Sequence, residues 1–443
     1  MSRYLFTTLP SNDLGLLTQS LPIANELRNR GHQAAFCSPG KAPIRLISDA
    51  GFDNLLPSHP VYYLISGDMR FVKLSRLLFS RHPLRDLGIL ISFIKHMSRS
   101  STAEIWNIDH FMHLFGMGNE GFIRINVAAL VESIDAYEPD AIIDFLNPFA
   151  CIAARIRQKQ LITVIQADMH PQSQGLIWWK KPPAELPPSP LVTTNRVLAE
   201  YSLPSVKKLG DLFIGDMTLV LGLPETDPLP ESADATYIGP MLWQNQEKLP
   251  GWIQDLGSEQ PIIWLYPGNL QYVKGSRTFG DSAVVLEACI EGLGNEDVLV
   301  VLTTGYHSLP DRFNPLPSNF RHEPYVPGIS MAERCDLLIH HGGYGSCQIG
   351  LFTGTPALII PTYSERESNA RRIALQGAGD YIVPKADSTG KNKRISGLEV
   401  RTKVLKILAD SSYAANAKIL SQRMKSFGGA SSVADLIEHS IST

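Results

Sequence analysis

The stretch Cys335-Asp336-Leu337-Leu338-Ile339-His340-His341-Gly342-Gly343-Tyr344-Gly345-Ser346-Cys347 decides how this chain is read. Residues 335–340 form a short apolar run of β character, and helical spacing resumes over 347–352. A glycine-rich turn between a buried strand and a helix exposes backbone N–H groups and the positive end of the helix dipole. Both suit a diphosphate. Ser346 can add a hydroxyl donor and His341 a ring N–H. The glycines alone fit equally well a tight strand–helix turn over a core histidine, so the surroundings must decide.

Working outward, the same strand–helix rhythm appears on both sides. Residues 261–266 read as a strand before Gly268, 297–303 as another, and 357–360 as a third that ends at Pro361. In the first half, 3–8 is a β-rich run and 10–15 a turn. Apolar residues then recur at helical spacing over 16–30, Gly31 stops the helix, and 33–37 is a second strand. Residues 140–145 and 161–166 have the look of further buried strands. A strand–helix–strand unit of this length implies a right-handed crossover in a parallel sheet. The proline-rich run 182–190, after Trp178-Trp179, reads as a surface loop, and the polar segment 224–250 as an interdomain linker. The expectation is two doubly wound, Rossmann-like α/β domains facing a central cleft. They are placed at 1–235 and 236–420, with a helix in 421–443 returning to the first.

Bulk composition agrees and removes other classes. A chain of 443 residues with 44% apolar and 19% charged side chains suits two globular cores rather than disorder. Forty-three acids against forty bases leave a net charge of −3, which does not favour nucleic acid. Cys37, Cys151, Cys289, Cys335 and Cys347 are scattered and form no C-x-x-C pair, so neither zinc nor a disulfide framework is suggested. Reduced thiols in the cytoplasm are the plain reading. Polar Ser11-Asn12-Asp13 arrive too early for a signal-peptide apolar region, and no apolar run is long enough to span a membrane.

Beyond the glycine turn comes Pro361-Thr362-Tyr363-Ser364-Glu365-Arg366-Glu367-Ser368-Asn369-Ala370. Here the sequence resembles the nucleotide-sugar glycosyltransferases that include the macrolide, glycopeptide-antibiotic and plant natural-product enzymes. Their pattern H-x-G-x-x-[ST], G-x-P, P-x-x-x-[DE]-x-x-x-N-A, G-x-G is met by His341, Gly343, Ser346, Gly354, Pro356, Pro361, Glu365, Asn369, Ala370, Gly377 and Gly379. Tyr325-Val326-Pro327-Gly328 resembles the base-recognition step, usually W-x-P-Q. The resemblance covers the C-terminal domain well and the first domain only in its opening βαβ unit. It implies the GT-B architecture, with Tyr325 stacking on uracil or thymine and the Val326 backbone bonding to it. His341, Gly343, Gly345 and Ser346 would hold the phosphates, with Gly268-Asn269 nearby. Glu365 would accept hydrogen bonds from the donor sugar.

The departures are specific. Glu365 is longer than the usual Asp, and Arg366 replaces Gln, which leaves the sugar open. Ile349 stands where plant members place a ribose-binding Glu, and Gly328 replaces a base-reading Gln, so UDP and TDP donors both remain. An inverting transfer needs a base for the acceptor's proton. The family's Gly-His step falls on Gly15-Leu16, sixteen residues before the His32 of Arg30-Gly31-His32, and leucine cannot take a proton. Asp13 on the same loop is the nearest candidate, with a helix N-cap as its alternative role. His170, in Gln166-Ala167-Asp168-Met169-His170, is the second.

Between 70 and 99 seven Lys/Arg and one acid, Asp86, are interleaved with apolar residues. Such a segment can lie on an anionic membrane; ordinary helices lining an acceptor pocket, with Trp106 and Trp178-Trp179, are the favoured alternative. The resulting expectation is a cytoplasmic, metal-independent, inverting hexosyltransferase. Its partners would be a UDP- or TDP-sugar co-substrate and a small hydrophobic acceptor, natural-product or lipid-like, with no cofactor and no Asp-x-Asp motif. The rivals are a catalytically silent auxiliary protein of the same fold and a nucleotide-sugar 2-epimerase. The latter would need acids and histidines meeting at the sugar, for which Glu365 and Glu367 are the main resource.

Overall fold

The computed structural model describes residues 1–11, 14–57, 82–99, 106–176, 189–243, 248–257, 259–268, 282–305, 307–362, 364–386 and 393–442. Asn12, Asp13, Asn269, Trp178, Trp179, 70–81 and 182–188 therefore lie outside the described residues.

Strands β1 (Arg3–Thr8), β2 (Gln33–Cys37), β3 (Asp53–Asn54), β4 (Ala141–Phe145), β5 (Gln160–Ile165), β6 (Met217–Leu221) and β7 (Thr236–Gly239) form one parallel sheet. Its order is β3-β2-β1-β4-β5-β6-β7. A second parallel sheet, ordered β10-β9-β8-β11-β12-β13, is built from β8 (Ile262–Tyr266), β9 (Leu299–Thr303), β10 (Phe320–Glu323), β11 (Leu337–His340), β12 (Ala357–Ile359) and β13 (Gly379–Tyr381).

Successive strand residues face opposite sides, and both sides are buried, which is why the strands read as continuous apolar runs. In β1, Tyr4 and Phe6 join one core cluster and Leu5 the other. In β8, Ile263 and Leu265 divide in the same way from Ile262 and Trp264. The molecule is thus two Rossmann-like α/β domains.

One segment behaves differently from the sequence reading. Residues 236–239, assigned there to the linker and the start of the second domain, form β7 and pair with β6, so the first sheet extends past residue 235. Ile238 supplies the apolar contact that the polar surroundings concealed; it is buried in the first domain's core. The last helix, Gly429–Ser442, packs on the first domain, where Val433, Ala434 and Ile437 join Leu21, Leu27 and Ile238 in one cluster.

In each sheet the strand order reverses beside the first strand of the unit, between β1 and β4 and between β8 and β11. Ligands of open α/β sheets bind in the crevice beyond the strand ends at such a switch point. At the second of these, His340 pairs with Tyr266, so the turns after β11 and β8 lie side by side.

Candidate functional site: a nucleotide-sugar cleft

The glycine turn after β11 feeds the helix Tyr344–Thr353, whose N-cap is Gly343 with no side-chain cap. Cys347 N–H is the first to bond back, to Gly343 O, so the amides of Tyr344, Gly345 and Ser346 face the turn at the positive end of the dipole. Gly345 is exposed and Ser346 half-buried, which leaves both accessible.

Opposite lies Gly268, at φ +97°. A Cβ there would stand 2.9 Å from Ser282 Oγ and 3.3 Å from His341 Nδ1. The glycine therefore opens a space walled by a hydroxyl and an imidazole. His341 Nδ1 is buried and makes no well-aligned hydrogen bond, the backbone of Tyr266 being the polar group beside the ring. Its ring stands edge-on to Tyr266, centroids 5.3 Å apart. Burial, then the Arg366 charge and His340, push its pKa well below the usual histidine range, so the ring is neutral and keeps one N–H to donate. Ser282 opens the helix Ser282–Leu293, and a second helix N-terminus thus meets the same space. Sequence reading missed Ser282; its signal was a serine directly before the apolar run of that helix.

His340 plays another part. Its Nδ1 accepts Gly342 N–H at 3.1 Å and shapes the turn, while burial and Arg366 push its pKa down to about 3.

Glu365, Arg366 and Asn369 sit on the helix Ser364–Leu375. Asn369 donates to Gly342 O at 3.0 Å and to Glu365 Oε1 at 2.9 Å, tying the phosphate turn to the carboxylate one helical turn away. This explains the Glu-x-x-x-Asn spacing. Arg366 Nη1 donates to Thr362 Oγ1 at 3.1 Å. Glu367 is taken by Arg371, 2.7 Å away, and so does not join Glu365 as a second acid at the sugar.

Val326 is buried with Trp264 in the core beneath, and Tyr325 is half-buried beside it. A Cβ at Gly328 would lie 3.1 Å from Ile349 Cδ1 and 3.4 Å from Trp264 Cη2, so the two departures at Gly328 and Ile349 adjoin each other in an apolar wall.

Residues 287–439 match the family described as erythromycin biosynthesis protein CIII-like, C-terminal domain. The whole chain superposes on the spinosyn forosaminyltransferase SpnP, covering all of both chains, with a TM-score of 0.67 at 18% identity. It superposes on the glycosyltransferase SnogD from Streptomyces nogalater at 0.66 and 18%, covering 99% of each. The chain has the GT-B fold, and residues 287–439 are similar to this family's C-terminal domain. Among curated relatives, an uncharacterized UDP-glucosyltransferase, YojK, of Bacillus subtilis (strain 168) is 27% identical over 236 residues, 52% of this chain and 54% of that protein. The 4'-demethylrebeccamycin synthase of Lentzea aerocolonigenes is 25% identical over 236 residues, 53% and 51%. The chain spans about half the length of the curated relatives it matches.

On the first domain of this GT-B fold, Leu16 is half-buried and packed against both core clusters. His170 faces a pocket of about 320 Å³ lined by Lys207, Lys208, Asp211, Ser232 and Asp234 among others, and no donor-side residue lines it. Its Nδ1 accepts Gln172 N–H, and burial lowers its pKa. The structure thus gathers His341, Gly343, Gly345, Ser346, Gly268, Glu365 and Arg366 around one turn, and none of them is among the residues lining the pocket at His170.

Proposed function

We propose that the protein is an inverting, metal-independent glycosyltransferase, moving a hexosyl unit from a TDP- or UDP-sugar to a small hydrophobic acceptor. The observation that carries this reading is the convergence of two helix N-termini and the buried His341 Nδ1 on the space that Gly268 leaves open. Backbone amides of 344–346, Ser346 and His341 hold the diphosphate, and Glu365 accepts from the sugar. As the C1–oxygen bond breaks, negative charge grows on the leaving diphosphate. Fixed helix dipoles and the Arg366 charge stabilise it without a metal ion. Tyr325 and the Val326 backbone hold the base.

The wall of Ile349 and Gly328 offers no carboxylate to a ribose hydroxyl, which favours a thymidine donor. A solved structure of similar fold, VinC, is a complex with dTDP, at a TM-score of 0.67 and 17% identity over 99% of each chain.

Asp13 takes the acceptor's proton, with His170 as the reserve candidate. The acceptor is apolar. On the helix Pro83–Arg99, Leu84, Leu87, Ile91 and Ile94 are exposed with Arg85 and Lys95, while Asp86 is turned inward. That face supports peripheral contact with an anionic membrane, as a lipid-like acceptor would require. No helix among the described residues is long and apolar enough to cross one. Five free, buried thiols are in keeping with a cytoplasmic setting.

The test is transfer from TDP- and UDP-hexoses to a panel of phenols, alcohols and amines, with product configuration read by NMR. Inverted product is expected, and Asp13→Asn should lower turnover by roughly 10²–10⁴-fold. Unchanged turnover would remove Asp13 from the role, and no transfer by the wild type would favour a silent auxiliary protein.

A further inference from the structure

Both helices that carry the donor residues are tied to the first domain through buried polar groups. Tyr344 opens the phosphate helix, yet its ring belongs to the first domain's cluster with Leu221 and Met241. Leu223, two residues beyond β6, is in turn part of the second domain's cluster with Trp264 and Val326. The domains exchange side chains across this joint.

The polar layer lies at the same place. Arg372, on the helix of Glu365 and Arg366, pairs through both terminal nitrogens with the two carboxylate oxygens of Asp168, and both side chains are about 95% buried. Asp227 is buried nearby, accepting Thr226 Oγ1–H at 2.7 Å. A Cβ at Gly222, φ +89°, would stand 2.2 Å from Asp227 Oδ2 and 2.6 Å from Tyr344 Oη, so carboxylate and phenol meet over a residue with no side chain.

The pairing is incomplete. Tyr344 Oη and Gln348 Oε1, one turn apart on one donor helix, and Ser368 Oγ and Arg372 Nε, one turn apart on the other, are buried without a well-aligned partner.

We propose that Tyr344 and Arg372 are positioning residues for the donor, held by Asp227 and Asp168 of the first domain so that the seating of the two domains sets the phosphate turn and the sugar carboxylate together. The inference rests on the donor-site reading above. Two carboxylates share one guanidinium, and the groups facing Asp227 are Arg372, Asp168, Tyr344, Tyr237 and Cys347. Burial pushes Asp227 up to about 6, while the Tyr344 phenol is raised and remains a donor. Ionised Asp227 can hold the phenol by a charge-assisted bond; protonated Asp227 holds it less firmly.

The experiment measures KM for a TDP-hexose from pH 5 to 8 in the wild type, Asp227→Asn and Tyr344→Phe, with Tm alongside. A sugar diphosphate diester has no proton to lose in this range, and neutral His341 does not titrate there. Expected is a wild-type KM that rises as pH falls through about 6. Both variants should show KM raised about tenfold at pH 7.5, with the step near pH 6 lost. Variants that lose Tm but keep the wild-type KM and its pH step would overturn the proposal, since a merely structural joint would behave so. A wild type that binds no nucleotide sugar would remove the donor-site reading and this inference with it.

Discussion

Asp144 is the penultimate residue of β4, with both carboxylate oxygens engaged. Thr7 Oγ1–H donates to one at 2.5 Å, and Asn147 N–H to the other at 3.0 Å. Those bonds favour the charged form, but complete burial outweighs them and pushes the pKa up to about 7. A carboxyl whose folded pKa lies above its unfolded value of 3.8 contributes stability that is full below about pH 4 and is lost as pH rises through about 7. Asp144→Asn has no proton to lose, so its melting temperature from pH 5 to 8 should fall less than that of the wild type. Parallel melting curves would show that Asp144 is not held protonated. Glu365→Ala should weaken TDP-hexose binding while leaving free TDP nearly untouched, and equal losses in calorimetry would take the carboxylate away from the sugar.

Among the elements, the C-terminal helix explains a motif that sequence reading used only as an alignment mark. Arg30 Nη1 reaches Asp435 at 2.5 Å and Glu438 at 2.7 Å, and His32 Nε2 lies 2.7 Å from Glu438. The Arg-Gly-His step thus docks Gly429–Ser442 on the first domain. Arg30→Ala should raise amide exchange across that helix while leaving the β8–β13 core protected, and unchanged exchange would assign the docking to Val433 and Ile437 alone. The βα units were legible because both faces of each strand are buried and each helix keeps one apolar stripe. The turn at 340–346 was legible because phosphate binding by backbone leaves a glycine signature. Thr236–Gly239 was hidden because a short edge strand needs only Ile238 from the core. Ser282 was hidden because Gly268, beside which its hydroxyl lies, stands fourteen positions earlier in the chain. Asp168 and Asp227 carried no signal in the sequence, since the cation they face, Arg372, comes from the other domain.

For the whole molecule, the proposed division puts the phosphate-binding parts on the second sheet's domain and the proton acceptor on the first. Nucleotide binding would then be a property of the second domain's turn, independent of which residue replaces the base absent at Leu16. The most direct measurement is calorimetric titration of TDP into the wild type, His341→Ala and Ser346→Ala. Wild-type binding is expected, with affinity about tenfold lower in each variant as one hydrogen bond to the diphosphate is lost. A wild type that binds neither TDP nor UDP, or variants that bind as tightly as the wild type, would contradict the donor site drawn around His341.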